Sequence, residues 1–111
     1  MDLEIGVGEI SSLELKDELE SPNPPVLVDV REESELGISR IDPHVHIPLG
    51  SLPLRLKDLD FEANIVVMCR SGNRSLTAAN YLVRRGFKRV RNLSDGINGW
   101  ATLVDPRMQK Y

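Results

Sequence analysis

Two short apolar runs, VLVDV at residues 26–30 and NIVVM at residues 64–68, constrain the fold more than any other feature of the chain. Each is β-branched, has strand length and is close to continuously apolar, the pattern of a strand covered on both faces. The second run leads through a glycine-containing loop into a helical stretch at residues 75–85. There Leu76, Ala79 and Val83 fall at i, i+3 and i+7 and are expected to form the packing face. Gly86 is placed to cap that helix, and Arg84 and Arg85 suit its negative end. Strand, short loop, helix and strand in succession predict an α/β domain with a mainly parallel sheet.

The remaining punctuation agrees. Ser11 and Glu14 have the spacing of a capping box, with Ile10 and Leu15 placed as its hydrophobic staple. A helix over residues 11–20 follows, turning Leu15 and Leu19 inward, and SPNPP at 21–25 ends it. Residues 37–43 read as a loop, and Val45 and Ile47 as a short strand ending at Pro48. Residues 52–59 could form a helix with Pro53 in its first turn. Residues 89–93 read as a last strand. Asp95, Gly96 and Gly99 read as a turn before Trp100, a core or rim anchor, and residues 104–111 have little periodicity. Without repeat, low-complexity tract or linker, residues 1–111 read as one domain.

Composition narrows the function. A net charge of -3 argues against nucleic acid as the main partner. No apolar run approaches the roughly 20 residues of a membrane span, and MDLEIGVGEI does not read as a signal peptide. One cysteine permits no internal disulfide and no CxxC chemistry, so a reducing, cytoplasmic setting is expected.

That cysteine, Cys69, lies where chemistry is expected. Its loop follows the carboxyl end of a buried strand, where open α/β sheets bind ligands. Gly72 is free to adopt unusual dihedrals, so successive N–H groups can converge on one point. The helix N-terminus adds unpaired N–H groups and a positive dipole, and Arg70 and Arg74 add fixed charge. The loop is an expected anion cradle with Cys69 at its lip. Such a setting lowers a cysteine pKa and needs no histidine base. A structural cysteine, a small buried hydrophobe, is the bland alternative.

The loop CRSGNRS resembles the active-site loop of rhodanese-homology domains. VDVR at 28–31, HIPLGSL at 46–52 and RGFKRVRNLSDGINGW at 85–100 resemble further pieces of the same family, in the same order. Two stretches depart from its pattern. GISRIDPHVHIPL stands where many relatives have G-H-I-x-G-A before I-P-L, and Asp95-Gly96 replaces paired glycines; neither is expected to touch the cysteine loop. The tail VDPRMQKY resembles that of rhodanese domains fused to enzymes that adenylylate sulfur-carrier proteins.

The resemblance implies a rhodanese-like fold, with the sheet flanked by helices on both faces. It implies a sulfurtransferase that carries sulfur as a persulfide on Cys69. The loop of Arg70, Ser71, Gly72, Asn73, Arg74 and Ser75 would bind it. Arg70 is expected to face solvent and meet an anionic substrate. Arg74 is expected to tie the loop to the scaffold through Asp29, and Asp29 and Arg31 to form an ion pair or support the loop. The implied partners are a small sulfur donor, thiosulfate or a persulfide, and a thiol or sulfur-carrier acceptor, with no cofactor, metal, nucleic acid or membrane.

Rival readings use the same residues. A cysteine phosphatase or arsenate reductase needs C-x5-R, whereas Arg74 gives C-x4-R. A binding module without catalysis has no physical need for the cysteine and two arginines. His44 and His46 alternate on a predicted strand and could join Cys69 at a metal, but surface histidines are commoner. Glu32, Glu33 and Glu35 read as a solvated face.

Overall fold

The two apolar runs lie side by side in a five-stranded, all-parallel sheet. The computed structural model describes residues 6–111; that part of the N-terminal reading which concerns residues 1–5 lies outside the described residues. In chain order the elements are β1 (Gly8–Ile10), α1 (Ser12–Leu19), β2 (Val26–Asp29), α2 (Glu33–Leu36) and β3 (Val45–His46). Two 3-10 segments follow, Leu49–Leu54 and Leu56–Asp58, then β4 (Asn64–Met68), α3 (Asn73–Arg84), β5 (Arg89–Leu93) and α4 (Gly96–Leu103). The strand order β1-β5-β4-β2-β3 puts β4 at the centre, with Val67 beside both Val28 of β2 and Asn92 of β5.

Alternation along β4 distributes the core. Ile65, Val67 and Cys69 pack with Val28, Val30 and Val90 against Ala78, Ala79 and Leu82 of α3 and Leu52 of the first 3-10 segment. Val66 and Met68 face the other way, onto Leu15 of α1 and Ile97 and Trp100 of α4. Helices therefore cover both faces. Residues 65–68 are fully buried, each contributing about 1.5–3 kcal/mol, so the strand is fixed by burial more than by propensity.

At the start of α1 the capping box forms in full. Ser11 Oγ accepts from Glu14 N–H at 3.1 Å, and the Glu14 carboxylate accepts from Ser11 N–H at 2.9 Å. Ile10 and Leu15 meet in one cluster.

Several expectations fail for local reasons. The segment 52–59 is not an α-helix but two 3-10 segments, with Pro53 inside the first; proline removes an N–H that a longer helix would need. The packing face of α3 is rotated: Ser75, Ala78, Ala79 and Leu82 are buried, while Leu76 is 39% exposed. Residues 96–103 form α4 rather than a turn, with Trp100 in the core. β1 and α2 were not expected, being only three and four residues long.

Candidate active site

β4 ends at Met68, and Cys69 begins the loop that enters α3 at Asn73. Gly72, at φ 100°, makes the turn; a Cβ there would come within 2.5 Å of the Ser94 carbonyl oxygen. The loop rests on the junction of β5 and α4. Ile97 N–H donates to the Cys69 carbonyl at 2.9 Å, and Asn98 N–H donates to the Arg70 carbonyl at 3.2 Å. Gly96, at φ 64°, lies directly behind that peptide, so a Cβ there would overlap the Arg70 carbonyl carbon at 2.5 Å. The Asp95-Gly96 departure was expected to lie clear of the cysteine loop. It does not: Gly96 is the surface on which the loop rests.

Cys69 Sγ lies on the floor of the cradle rather than at its lip, and the residue is 1% exposed. The alternation that sends Val67 toward α3 sends Cys69 the same way. The sulfur accepts from Gly72 N–H at 3.2 Å and Ser75 N–H at 3.3 Å. Ser75 Oγ is also 3.3 Å from the sulfur and donates to Asn92 Oδ1 at 2.5 Å. Asn92 Nδ2 in turn donates to the Gly72 carbonyl at 3.2 Å. With its proton on Asn92, the Ser75 hydroxyl accepts from the thiol; rotated, it would donate to a thiolate.

Burial pushes the Cys69 pKa up, but the Ser75 hydroxyl and the N–H groups of Ser75, Gly72 and Ser71 outweigh it and hold the thiol below its ordinary value. The thiolate is therefore stabilised chiefly by hydrogen bonds, more than by the arginine charges that the sequence emphasises.

The charged residues pair differently from expectation. Arg74 does not reach Asp29. Its Nη1 and Nη2 donate to Glu35 Oε2 and Oε1 at 2.8 and 2.9 Å. Asp29 is occupied by Arg31, in an ion pair with side chains 1% and 0% exposed. Arg31 also donates to the Ser39 carbonyl and Tyr111 Oη at 2.8 and 2.9 Å, so both charges are paired and hydrogen-bonded as burial requires. Glu35 is thus not a solvated acid. The Arg74 guanidinium, aided by the Tyr111 hydroxyl and the Glu32 N–H, holds its carboxyl down at about 2 against burial. Arg70, Ser71 and Asn73 are exposed, and the Arg70 guanidinium lies 5.1 Å from the centre of the Tyr111 ring.

His44 and His46 do not converge on Cys69. His44 Nδ1 lies 3.1 Å from the Ile41 carbonyl, and His46 Nε2 donates to the Arg31 carbonyl at 2.7 Å.

Glu35, Tyr111, Asn92 and Gly96 are the site residues that sequence reasoning missed. Asn92 alone left a signal: alternation from Val90 puts this amide on the α3 face of β5, at the carboxyl end.

The chain matches the model of the rhodanese-like domain over residues 11–103. YtwF of Bacillus subtilis is 37% identical over 101 residues, covering 91% of this chain and 97% of that protein. A sulfurtransferase of Allochromatium vinosum is 36% identical over 95 residues, 86% of this chain and 89% of that one. Among solved structures, a rhodanese-like domain protein from Staphylococcus aureus superposes with a TM-score of 0.82 at 26% identity, over 95% of this chain and 99% of that one.

Proposed function

The chain belongs to the rhodanese-like domain family, and from that premise we propose that it moves sulfane sulfur through a persulfide on Cys69. The observation that carries this reading is the pair of N–H bonds from Gly72 and Ser75 to the Cys69 sulfur, at the head of α3. Donors aimed at a single sulfur favour the thiolate and can hold the terminal sulfur of a persulfide.

Two displacements make the cycle. The Cys69 thiolate attacks the outer sulfur of thiosulfate; the S–S bond of the donor breaks, sulfite leaves with its electron pair, and Cys69 holds the persulfide anion. A thiolate or cyanide then attacks the terminal sulfur and leaves with it as a persulfide or thiocyanate, returning Cys69 as thiolate. The acceptor is oxidised at the expense of the donor, which leaves as sulfite, so no external oxidant and no cofactor are needed. This is double-displacement covalent catalysis. The loop from Arg70 to Ser75 cradles the transferred sulfur, Arg70 meets the anionic donor, and the Asp29–Arg31 pair supports the loop from the adjoining strand. The acceptor is a small thiol or a sulfur-carrier protein, in the cytoplasm, where the lone cysteine stays reduced.

Phosphatase chemistry fits less well. It needs a guanidinium free to chelate phosphate, and both terminal nitrogens of Arg74 are engaged by Glu35.

Intact-protein mass spectrometry after thiosulfate treatment tests the proposal. One added sulfur, removable by a reductant and absent from Cys69→Ser, is the expected result. Thiosulfate:cyanide turnover that persists in Cys69→Ser would refute it.

A further inference from the structure

Tyr111 touches three charged side chains of the site at once. Its hydroxyl accepts from Arg31 Nη1 at 2.9 Å and donates to Glu35 Oε1 at 2.7 Å. The Arg70 guanidinium lies over its ring, 5.1 Å from the centre. The ring is also anchored. Tyr111 N–H donates to Asn98 Oδ1 at 3.3 Å, and the Tyr111 carbonyl accepts from Asn98 Nδ2 at 2.8 Å. Asn98 belongs to α4, and its own N–H holds the Arg70 carbonyl. One residue of α4 therefore fixes both the peptide that carries Arg70 and the ring beneath its guanidinium.

The three arginines at the site differ in what remains unspent. Arg31 is neutralised by Asp29 and Arg74 by Glu35, but Arg70 joins none of the ion pairs among the described residues. An aromatic face attracts a guanidinium without cancelling its charge or occupying its N–H donors. It restricts where the cation can go, and an anion that meets a pre-placed cation loses less entropy on binding. We propose that Tyr111 is a specificity-determining residue: by seating Arg70 beside the cysteine loop, it makes the site favour anionic sulfur donors over neutral ones. The word donor rests on the sulfurtransferase reading; the seating of Arg70 does not.

The experiment separates the two. Cys69 is alkylated with iodoacetate, an anion, and with iodoacetamide, its neutral counterpart, and the ratio of the two rates reports the charge that a reagent meets. Tyr111→Leu and Tyr111→Gln both remove the ring, and the glutamine amide can still donate to Glu35. Each should lower the ratio about two- to fivefold, the size of an exposed cation–π contact. Tyr111→Phe keeps the ring and should leave the ratio unchanged. In an Arg70→Ala background the ring-free variants should have no further effect. For thiosulfate turnover, the ring-free variants should raise KM by a similar factor with kcat held. An unchanged ratio in both ring-free variants, an equal fall in Tyr111→Phe, or an equal fall with Arg70 already alanine would each overturn the proposal. If the alkylation ratios follow expectation while Cys69 takes up sulfur from neither thiosulfate nor a persulfide donor, the sulfurtransferase reading fails and the seating of Arg70 is upheld.

Discussion

Cys69 is pulled in two directions. Its burial favours the neutral thiol, and the Ser75 hydroxyl with three backbone N–H groups favours the thiolate more. The rate of iodoacetamide modification against pH should therefore have its midpoint below that of the same chain unfolded in urea; coincident midpoints would mean that the cradle does not act on the sulfur. Glu35 supplies a second pH dependence. Its carboxyl falls from 4.5 to about 2 on folding, so the pair with Arg74 contributes stability above pH ~4.5, lost as pH falls toward ~2. The Arg74 side chain is 36% exposed, and solvent screening reduces the contribution to roughly 1–2 kcal/mol. Urea melts of Glu35→Gln should show that loss at pH 7 and converge with the parent near pH 2. Arg74→Ala should cost on the order of 1–3 kcal/mol, because it removes the charged partner of a part-buried carboxylate and leaves it only the Tyr111 hydroxyl and the Glu32 N–H. Arg70→Ala, at an exposed position, should stay within about 0.5 kcal/mol of the parent. None of this pairing was legible in sequence. Glu35 lies 39 residues from Arg74, and no local spacing tells an acid which base will face it.

At the scale of elements, legibility follows how each element is stabilised. β2 and β4 are covered on both faces, so all their residues but Asp29 and Asn64 are apolar and the strands can be read directly. α3 hides its buried stripe. The helix packs closely on β4 and β5 through two alanines, and its first buried position is Ser75, whose hydroxyl serves the sulfur. A hydrophobic count therefore selects Leu76 instead. α4 begins at a glycine with positive φ and contains a second glycine, both signals of a turn. Gly96→Ala tests why that glycine is there. An alanine would be strained at this φ and would collide with the Arg70 peptide, at a cost of about 2–4 kcal/mol. Because the displaced peptide adjoins Cys69, the pH midpoint of alkylation should rise as well. A variant that melts normally and reacts normally would show that the loop does not depend on this contact.

For the molecule as a whole, the strand order accounts for the position of the site. The carboxyl end of the central strand lies between β2 and β5. Asn92 of β5 holds the Gly72 carbonyl, and the Val30 N–H that follows β2 holds the Met68 carbonyl just before the loop, while the Asp29 side chain is taken up by Arg31. Amide hydrogen exchange should follow the same plan. Residues 65–68 should exchange only through global unfolding, and the two-residue edge strand β3 well before them; equal protection would contradict the sheet order. The tail was the least legible part. Tyr111 reaches the site from 80 residues beyond Arg31, through contacts that leave no period in the sequence. The loop itself has a consequence for how such a site can change. Its curvature is set by N–H groups on the sulfur, carbonyls held by α4 and by the Asn92 amide, and two positions without a Cβ. The side chains of Arg70, Ser71 and Asn73 point outward and take no part in that scaffold. On the proposed function, the sulfur is thus governed by loop N–H groups with the Ser75 hydroxyl, while the three outward side chains, Arg70 on its Tyr111 seat among them, are left to meet the partner. Randomising those three positions should yield enzymes that keep the reactive sulfur but differ in the donors and acceptors they accept.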